Sequence, residues 1–278
     1  MRRKYPVQIT FWGVRGSVTS HDPKNFKHGG HTACVSFYYH KKWFVLDAGT
    51  GIRNLGKKLA KTRRPIVLLL SHLHWDHVFG LPFFKPLYQR GRKIILAGPS
   101  RANHSFRKTL NEAMRPPFFP IRTNQWRARI RWQTLKQKPI PLDGVIVEPR
   151  RVAHHNGTFG FRFVFPDGRK IIYVTDQELR PADKKFARWI EGADLLIHDS
   201  QYDRKTYAKR KGWGHSCFEI VLTMAMDAKV KRLLLFHHDP DANDKTLGKR
   251  LLLCRQRIKA RRSSLKCSMA KEGWSLVV

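Results

Sequence analysis

The chain has 278 residues, enough to bury a large core in one domain or two. Fifty-five Lys and Arg against 20 Asp and Glu give a formal charge of +35, which attracts polyanions; a general basic bias of the source proteome is the competing reading. No apolar run approaches the ~18 residues of a membrane-spanning helix, and no signal-peptide core follows Met1-Arg2-Arg3-Lys4, so no membrane association is expected.

No linker, repeat or low-complexity block divides the chain, so one domain over residues 1–278 is expected, with a basic insertion at about 101–138. In chain order, strands are expected at Val7–Gly13, Cys34–Tyr39 and Trp43–Leu46, then a helix Ile52–Lys61. The run Ile66 to Leu70 reads as a buried strand. A helix Val78–Tyr88, a strand Lys93–Ala97 and a helix Phe106–Met114 follow, the last ended by Pro116-Pro117. Strands Arg129–Thr134 and Val145–Val152 precede a hairpin, Gly160–Phe165 and Lys170–Val174, turned by Pro166-Asp167-Gly168. Helices Pro181–Ile190, Ser216–Met226 and Lys245–Lys259 then alternate with strands Leu195–His198 and Leu233–Phe236, and Trp274–Val278 closes a sheet edge. The pattern is α/β, two layers of strands with ligand-type residues at strand ends.

Cations are clustered. Lys85 to Lys138 holds fourteen Lys/Arg and one acid, Glu112; Lys245 to Lys271 holds ten and no acid. Phe118, Phe119, Trp126 and Trp132 lie in the first block. Cations among aromatics suit a nucleic-acid strand, although core packing is the better reading of the aromatics alone. Cys34, Cys217, Cys254 and Cys267 lack CxxC spacing, as in a reduced, cytoplasmic protein, and Cys217 reads as a small buried hydrophobe.

Ser71-His72-Leu73-His74-Trp75-Asp76-His77 carries the most chemistry. A lone buried histidine is usually a satisfied core residue, but three imidazoles and a carboxylate at one strand end form a metal-ligand set. His72 and His74 alternate on extended chain and point the same way, while Asp76 and His77 can reach a second ion. Further donors end later strands: His154 or His155, Asp176, and His237 or His238.

Together with Phe11-Trp12-Gly13-Val14-Arg15-Gly16-Ser17, Leu46 to Gly51 and Gly212-Trp213-Gly214-His215-Ser216, these motifs resemble the metallo-β-lactamase superfamily of metallohydrolases. The nearest pattern is its phosphodiesterase branch, which includes ribonuclease Z. The resemblance implies an αββα sandwich with two divalent ions at one edge of the sheets. Zinc is the default metal, and manganese or iron suit the same donors. By position, His72, His74 and His154 would hold one ion and Asp76, His77 and His237 the other, bridged by Asp176. His215, oriented by Asp199, would protonate the leaving group; Asp199 stands where the family usually has Glu, one methylene longer. Asp47 would orient a ligand histidine or cap its own turn, and His198 would serve packing.

The long arm with which ribonuclease Z holds tRNA is not recognisable. The implied function is phosphodiester hydrolysis in nucleic acid, RNA above DNA. The alternatives are a small-molecule or cyclic-nucleotide phosphodiesterase, and a nucleic-acid-binding protein with a non-catalytic metal site. Oligomeric state stays open, a homodimer included.

Overall fold

The computed structural model describes residues 5–100, 104–142 and 144–278; Met1 to Lys4 and the first three residues of the 101–138 segment lie outside the described residues. Its first sheet contains β1 (Gln8–Gly13), β2 (Cys34–Tyr39), β3 (Lys42–Leu46), β4 (Ile66–Leu69), β5 (Lys93–Gly98) and β6 (Arg129–Thr134). Its second contains β7 (Ile140–Leu142), β8 (Val145–Arg151), β9 (Phe159–Val164), β10 (Lys170–Val174), β11 (Leu195–Asp199), β12 (Arg232–Phe236) and β13 (Lys266–Met269). The last strand, β14 (Ser275–Val277), returns to the first sheet as the antiparallel neighbour of β1. In spatial order the sheets run β14-β1-β2-β3-β4-β5-β6 and β13-β12-β11-β10-β9-β8-β7.

Side-chain alternation explains the layering. In β4 every residue is apolar because both faces are covered: Val67 and Leu69 enter the core between the sheets, Ile66 and Leu68 the outer helical layer. β12 divides likewise, with Leu234 and Phe236 inward and Leu233 and Leu235 outward. Aromatics fill the inter-sheet core: Phe37 stacks on Phe44 at 4.7 Å and meets Phe163 edge-on at 5.1 Å. Helices α1 (Ile52–Leu59) and α3 (Phe106–Ala113) cover the first sheet. On the second lie α4 (Lys184–Ile190), α6 (Phe218–Asp227) and α7 (Asp244–Ala260). This is the expected αββα sandwich.

The expected helix Val78–Tyr88 does not form. A single turn, α2 (Trp75–Val78), is followed by two 3₁₀ turns, Leu81–Phe83 and Lys85–Tyr88. Pro82 and Pro86 each lack an N–H and therefore start short turns instead of continuing a ladder. The fourth helix begins at Lys184, three residues later than expected, where Asp183 caps the Phe186 N–H at 2.8 Å. Sequence patterning misses β7, β13 and α5 (Arg204–Lys209), which are too short to show a period. Within the basic block Trp126 stacks on Trp132 at 6.2 Å and joins the core, so these two serve packing, whereas Phe118 is exposed.

Because Phe163 is fully buried between the sheets, Phe163→Ala should cost ~3–5 kcal/mol in a denaturant titration.

Candidate metal centre

The carboxyl ends of parallel strands from both sheets open on one rim, the usual place for a site in such sheets. β4 leads to His72 and His74, α2 carries Asp76 and His77, β8 leads to His154, β10 to Asp176, and β12 to His237. The structure brings all seven together. His72, His74, His154 and Asp176 form one group and Asp76, His77, His237 and Asp176 another; within each, the potential donor atoms lie within 4.8 Å of one another.

Asp176 stands between the groups. Its Oδ1 is 3.0 Å from His77 Nε2 and 3.1 Å from His237 Nε2, while its Oδ2 is 3.5 Å from His72 Nε2 and 3.7 Å from His154 Nε2. Asp76 Oδ2 lies 3.1 Å from both His77 Nε2 and His237 Nε2.

Four imidazoles have one ring nitrogen held from outside the cluster, leaving the other to face inward. His72 Nδ1 is 3.0 Å from Ser71 Oγ, and His77 Nδ1 is 3.0 Å from Asp47 Oδ2. His154 Nδ1 lies 2.8 Å from the Gly214 carbonyl, and His237 Nδ1 is 3.1 Å from Gln201 Oε1. Such outer partners fix the tautomer and aim of metal-binding histidines. His72 Nε2 is buried and has no hydrogen-bond partner, an arrangement that a cation would satisfy. The donor set fits divalent metal.

Electrostatics agree. Burial drives His72 well below the ordinary histidine value and His154 down to about 4, leaving neutral rings with lone pairs. Burial opposes charge on Asp76 and Asp176, but the surrounding imidazoles prevail and hold both carboxyls well below the usual range. Burial also opposes a proton on His77, yet Asp76, Asp176 and Asp47 raise that ring well above its usual value. A bound cation would replace that proton.

Asp47 is fully buried, and its carboxylate accepts from the Ser71 N–H at 2.7 Å, the Ser71 hydroxyl at 2.9 Å and the Tyr173 hydroxyl at 2.7 Å, besides His77. It therefore orients His77 directly and His72 through Ser71, beyond the turn cap that its sequence position suggests. Ser17, Asp47, Asp176 and His237 all have left-handed backbones, with φ of 64°, 59°, 45° and 58°. Such strain gathers where a site over-determines the chain. Gly16 is required because a Cβ there would lie 2.4 Å from the His237 ring.

Fully buried Arg15 fastens this loop, donating to the carbonyls of Gly29 at 2.8 Å, Asp239 at 3.0 Å and Ala242 at 2.7 Å. The loop's Ser17 N–H then donates to Asp76 Oδ2 at 2.8 Å. Ser17, Ser71, Tyr173 and Gln201 are absent from the sequence-based set. Ser71 and Ser17 border its motifs, while nothing in the sequence marks Tyr173 or Gln201.

At the less buried side, His215 stacks against His237 with ring centroids 5.2 Å apart, and its Nδ1 is 3.1 Å from Asp199 Oδ2. The shorter acid reaches because Asp199 is pinned by the N–H groups of Gln177, Gln201 and Ser216, at 3.2, 3.0 and 3.2 Å. Burial opposes charge on His215, but Asp199 outweighs it and brings the ring up to about 9. His155 is exposed beside His154, whereas buried His238 turns away to the Ala270 carbonyl at 2.9 Å. His198 bonds Gln177 and its own strand end, a packing role. Cys217 is buried against Glu219, and burial pushes its thiol up to about 12, too high for a reactive thiolate.

Asp47→Asn would set an amide donor against the His77 Nδ1–H. Metal affinity should fall about 10–100-fold by competition with a chromogenic chelator, while the circular-dichroism spectrum is retained.

Residues 42–238 match the family described as the Beta-lactamase superfamily domain. A ribonuclease Z of Thermoplasma volcanium is 32% identical, over 86% of this chain and 89% of its own. A diphosphatase of the PhnP family superposes with a TM-score of 0.71 at 17% identity, covering 97% of both chains. The short form of human tRNase Z superposes with a TM-score of 0.64 at 20% identity, covering 97% of this chain and 98% of that one. These two structures establish shared architecture; the family match takes in strands of both sheets and all seven donors on their common rim. On that ground the chain belongs to the metallo-β-lactamase superfamily of metal-dependent hydrolases.

Proposed function

We propose that this protein is a phosphodiesterase that cleaves nucleic acid, RNA in preference to DNA. The observation that carries the reading is the Asp176 carboxylate between two donor groups, with the His215–Asp199 pair beside them. His72, His74 and His154 would hold one divalent ion, and Asp76, His77 and His237 the other, with Asp176 shared. Zinc suits this nitrogen-rich set best; manganese or iron suit it as well. Ions bound there would supply Lewis acidity, offsetting phosphoryl charge and activating water at neutral pH.

The protein's own groups do the rest. Asp199 takes the Nδ1–H of His215, so the ring presents Nε2–H as the proton for the departing oxygen. Ser17 N–H and Gln201 hold Asp76 and His237 against displacement. The charge of +35 supports a polymeric polyanion over a cyclic nucleotide, and similarity to a ribonuclease Z supports RNA. Four buried free cysteines fit a reducing, cytoplasmic setting.

Purified, metal-analysed protein should cleave a 3′-extended tRNA, and Asp76→Ala should abolish the cleavage. Affinity for RNA should fall by about 10³–10⁵ between 50 and 200 mM salt if roughly six to ten phosphates are contacted. Turnover of cyclic nucleotides alone would overturn the polymer reading in favour of a small-molecule phosphodiesterase. Tight, salt-sensitive binding without turnover would instead leave a binding protein.

His215→Ala should lower kcat by about 10²–10⁴ on unactivated diesters. Since His215 must donate its proton, activity is present below its pKa and lost as pH rises through it. Asp199→Asn removes the charge that raises that pKa, so the basic limb of the kcat/KM profile should move to lower pH. An unmoved limb would assign the proton transfer elsewhere.

A further inference from the structure

The cluster is not equally enclosed. Asp76, His77, Asp176 and His237 are buried, as is the His154 ring, whereas His74 and His215 are partly exposed, so solvent reaches the centre from their side. Two tryptophans stand there. Trp75 lies between His74 and Asp76 and is 68% exposed; Trp213 precedes Gly214 and is 58% exposed. A short path joins them: the Gly214 carbonyl meets His154 Nδ1 at 2.8 Å, and His154 Nε2 is 3.2 Å from His74 Nδ1. Both tryptophans are therefore chain neighbours of groups bonded into the half of the centre formed by His74 and His154.

Indole is costly to leave in water, and isolated exposure is common, but two exposed tryptophans next to candidate metal ligands mark a recognition surface. Trp75 continues into Phe79, itself 51% exposed, with ring centroids 6.3 Å apart. Trp213 is backed by Arg210, whose guanidinium carbon is 5.3 Å from the ring centroid. Beside His154 opens a cavity of about 1100 Å³ that Arg180 and Lys211 help to line. Glu178 is the only acid among the described residues of its lining, and it is engaged by the Tyr207 hydroxyl at 3.0 Å and the Gly214 N–H at 3.1 Å. Two cations against one carboxylate leave this lining with a net positive charge.

We propose that Trp75 and Trp213 form a stacking rim for unpaired bases flanking the scissile phosphodiester of a single-stranded nucleic acid, with Arg180 and Lys211 receiving neighbouring phosphates. This rests on the nucleic-acid reading of the site. Aromatic faces near a cationic lining suit bases and phosphates together. A second copy of this chain fits the same surface poorly, because it brings its own charge of +35.

The test compares wild type, Trp75→Ala, Trp213→Ala and the two Trp→Phe variants on a single-stranded RNA and on an abasic oligonucleotide of equal length. Each Trp→Ala change should raise KM for the RNA at least about fivefold, the lower bound for losing one stacked base, with little change in kcat. KM for the abasic strand should stay the same, and Phe should restore most of the RNA affinity. RNA should also quench wild-type indole fluorescence, and less so in the Phe variants.

Unchanged RNA kinetics in every variant, or equal losses on both strands, would overturn the rim while leaving the nuclease reading intact. Dissociation of a dimer in the Ala variants, without a change in KM, would overturn it in favour of a second copy. Absence of both RNA cleavage and RNA-induced quenching in wild type would overturn the rim and the nucleic-acid reading together.

Discussion

The site depends above all on one buried carboxylate. Asp47, at the end of β3 in a left-handed conformation, gathers the Ser71 backbone and hydroxyl, the His77 ring and the Tyr173 hydroxyl around two oxygens. One bond aims an imidazole at the group formed with Asp76 and His237; another, through Ser71, aims His72 at the group formed with His74 and His154. Tyr173 comes from β10 of the opposite sheet, so the same carboxylate also ties the sheets together at the rim. A buried charge is tolerable only when so fully hydrogen-bonded, which makes the local fold and the donor geometry one construction.

The rest of the centre follows the same economy. Imidazoles from separate strands converge, with nitrogens as close as 3.2 Å, because their far nitrogens are anchored and carboxylates lie among them. Left-handed backbones at Ser17, Asp47, Asp176 and His237 show the chain bent to suit the donors. Arg15, beside the Gly16–Ser17 turn, fastens that bend by donating to the backbone carbonyls of Gly29, Asp239 and Ala242. A cation bound among Asp76, Asp176 and the imidazoles would add cohesion to the cluster.

Charge is distributed to complement this. Asp47, Asp76, Asp176 and Asp199 meet at the buried centre while the excess of Lys and Arg lies elsewhere along the chain, so on the proposed reading a polyanion would be drawn to the protein as a whole. On the open side, where His74 and His215 meet solvent, Trp75 and Trp213, one and two positions from them in the chain, are also exposed.

The strands and their donors were legible in the sequence because each rests on short-range pattern. Ile66 to Leu69 is apolar throughout because both faces of β4 are covered, and the donors follow directly where that run stops. The hairpin turn at Pro166-Asp167-Gly168 is local chemistry too. The expected helix over Val78–Tyr88 failed for an equally local reason, two prolines whose effect outweighed the apolar spacing.

Only the tertiary structure decided what lies behind the donors. Gln201 beneath His237, Tyr173 on Asp47 and the Gly214 carbonyl on His154 are contacts between segments 36, 126 and 60 residues apart. The choice of His154 over His155 and of His237 over His238 for the cluster was likewise a matter of which ring the backbone turns inward. A sequence names the side chains that can carry such chemistry, but it holds no record of distance between segments; packing two sheets on one core sets those distances.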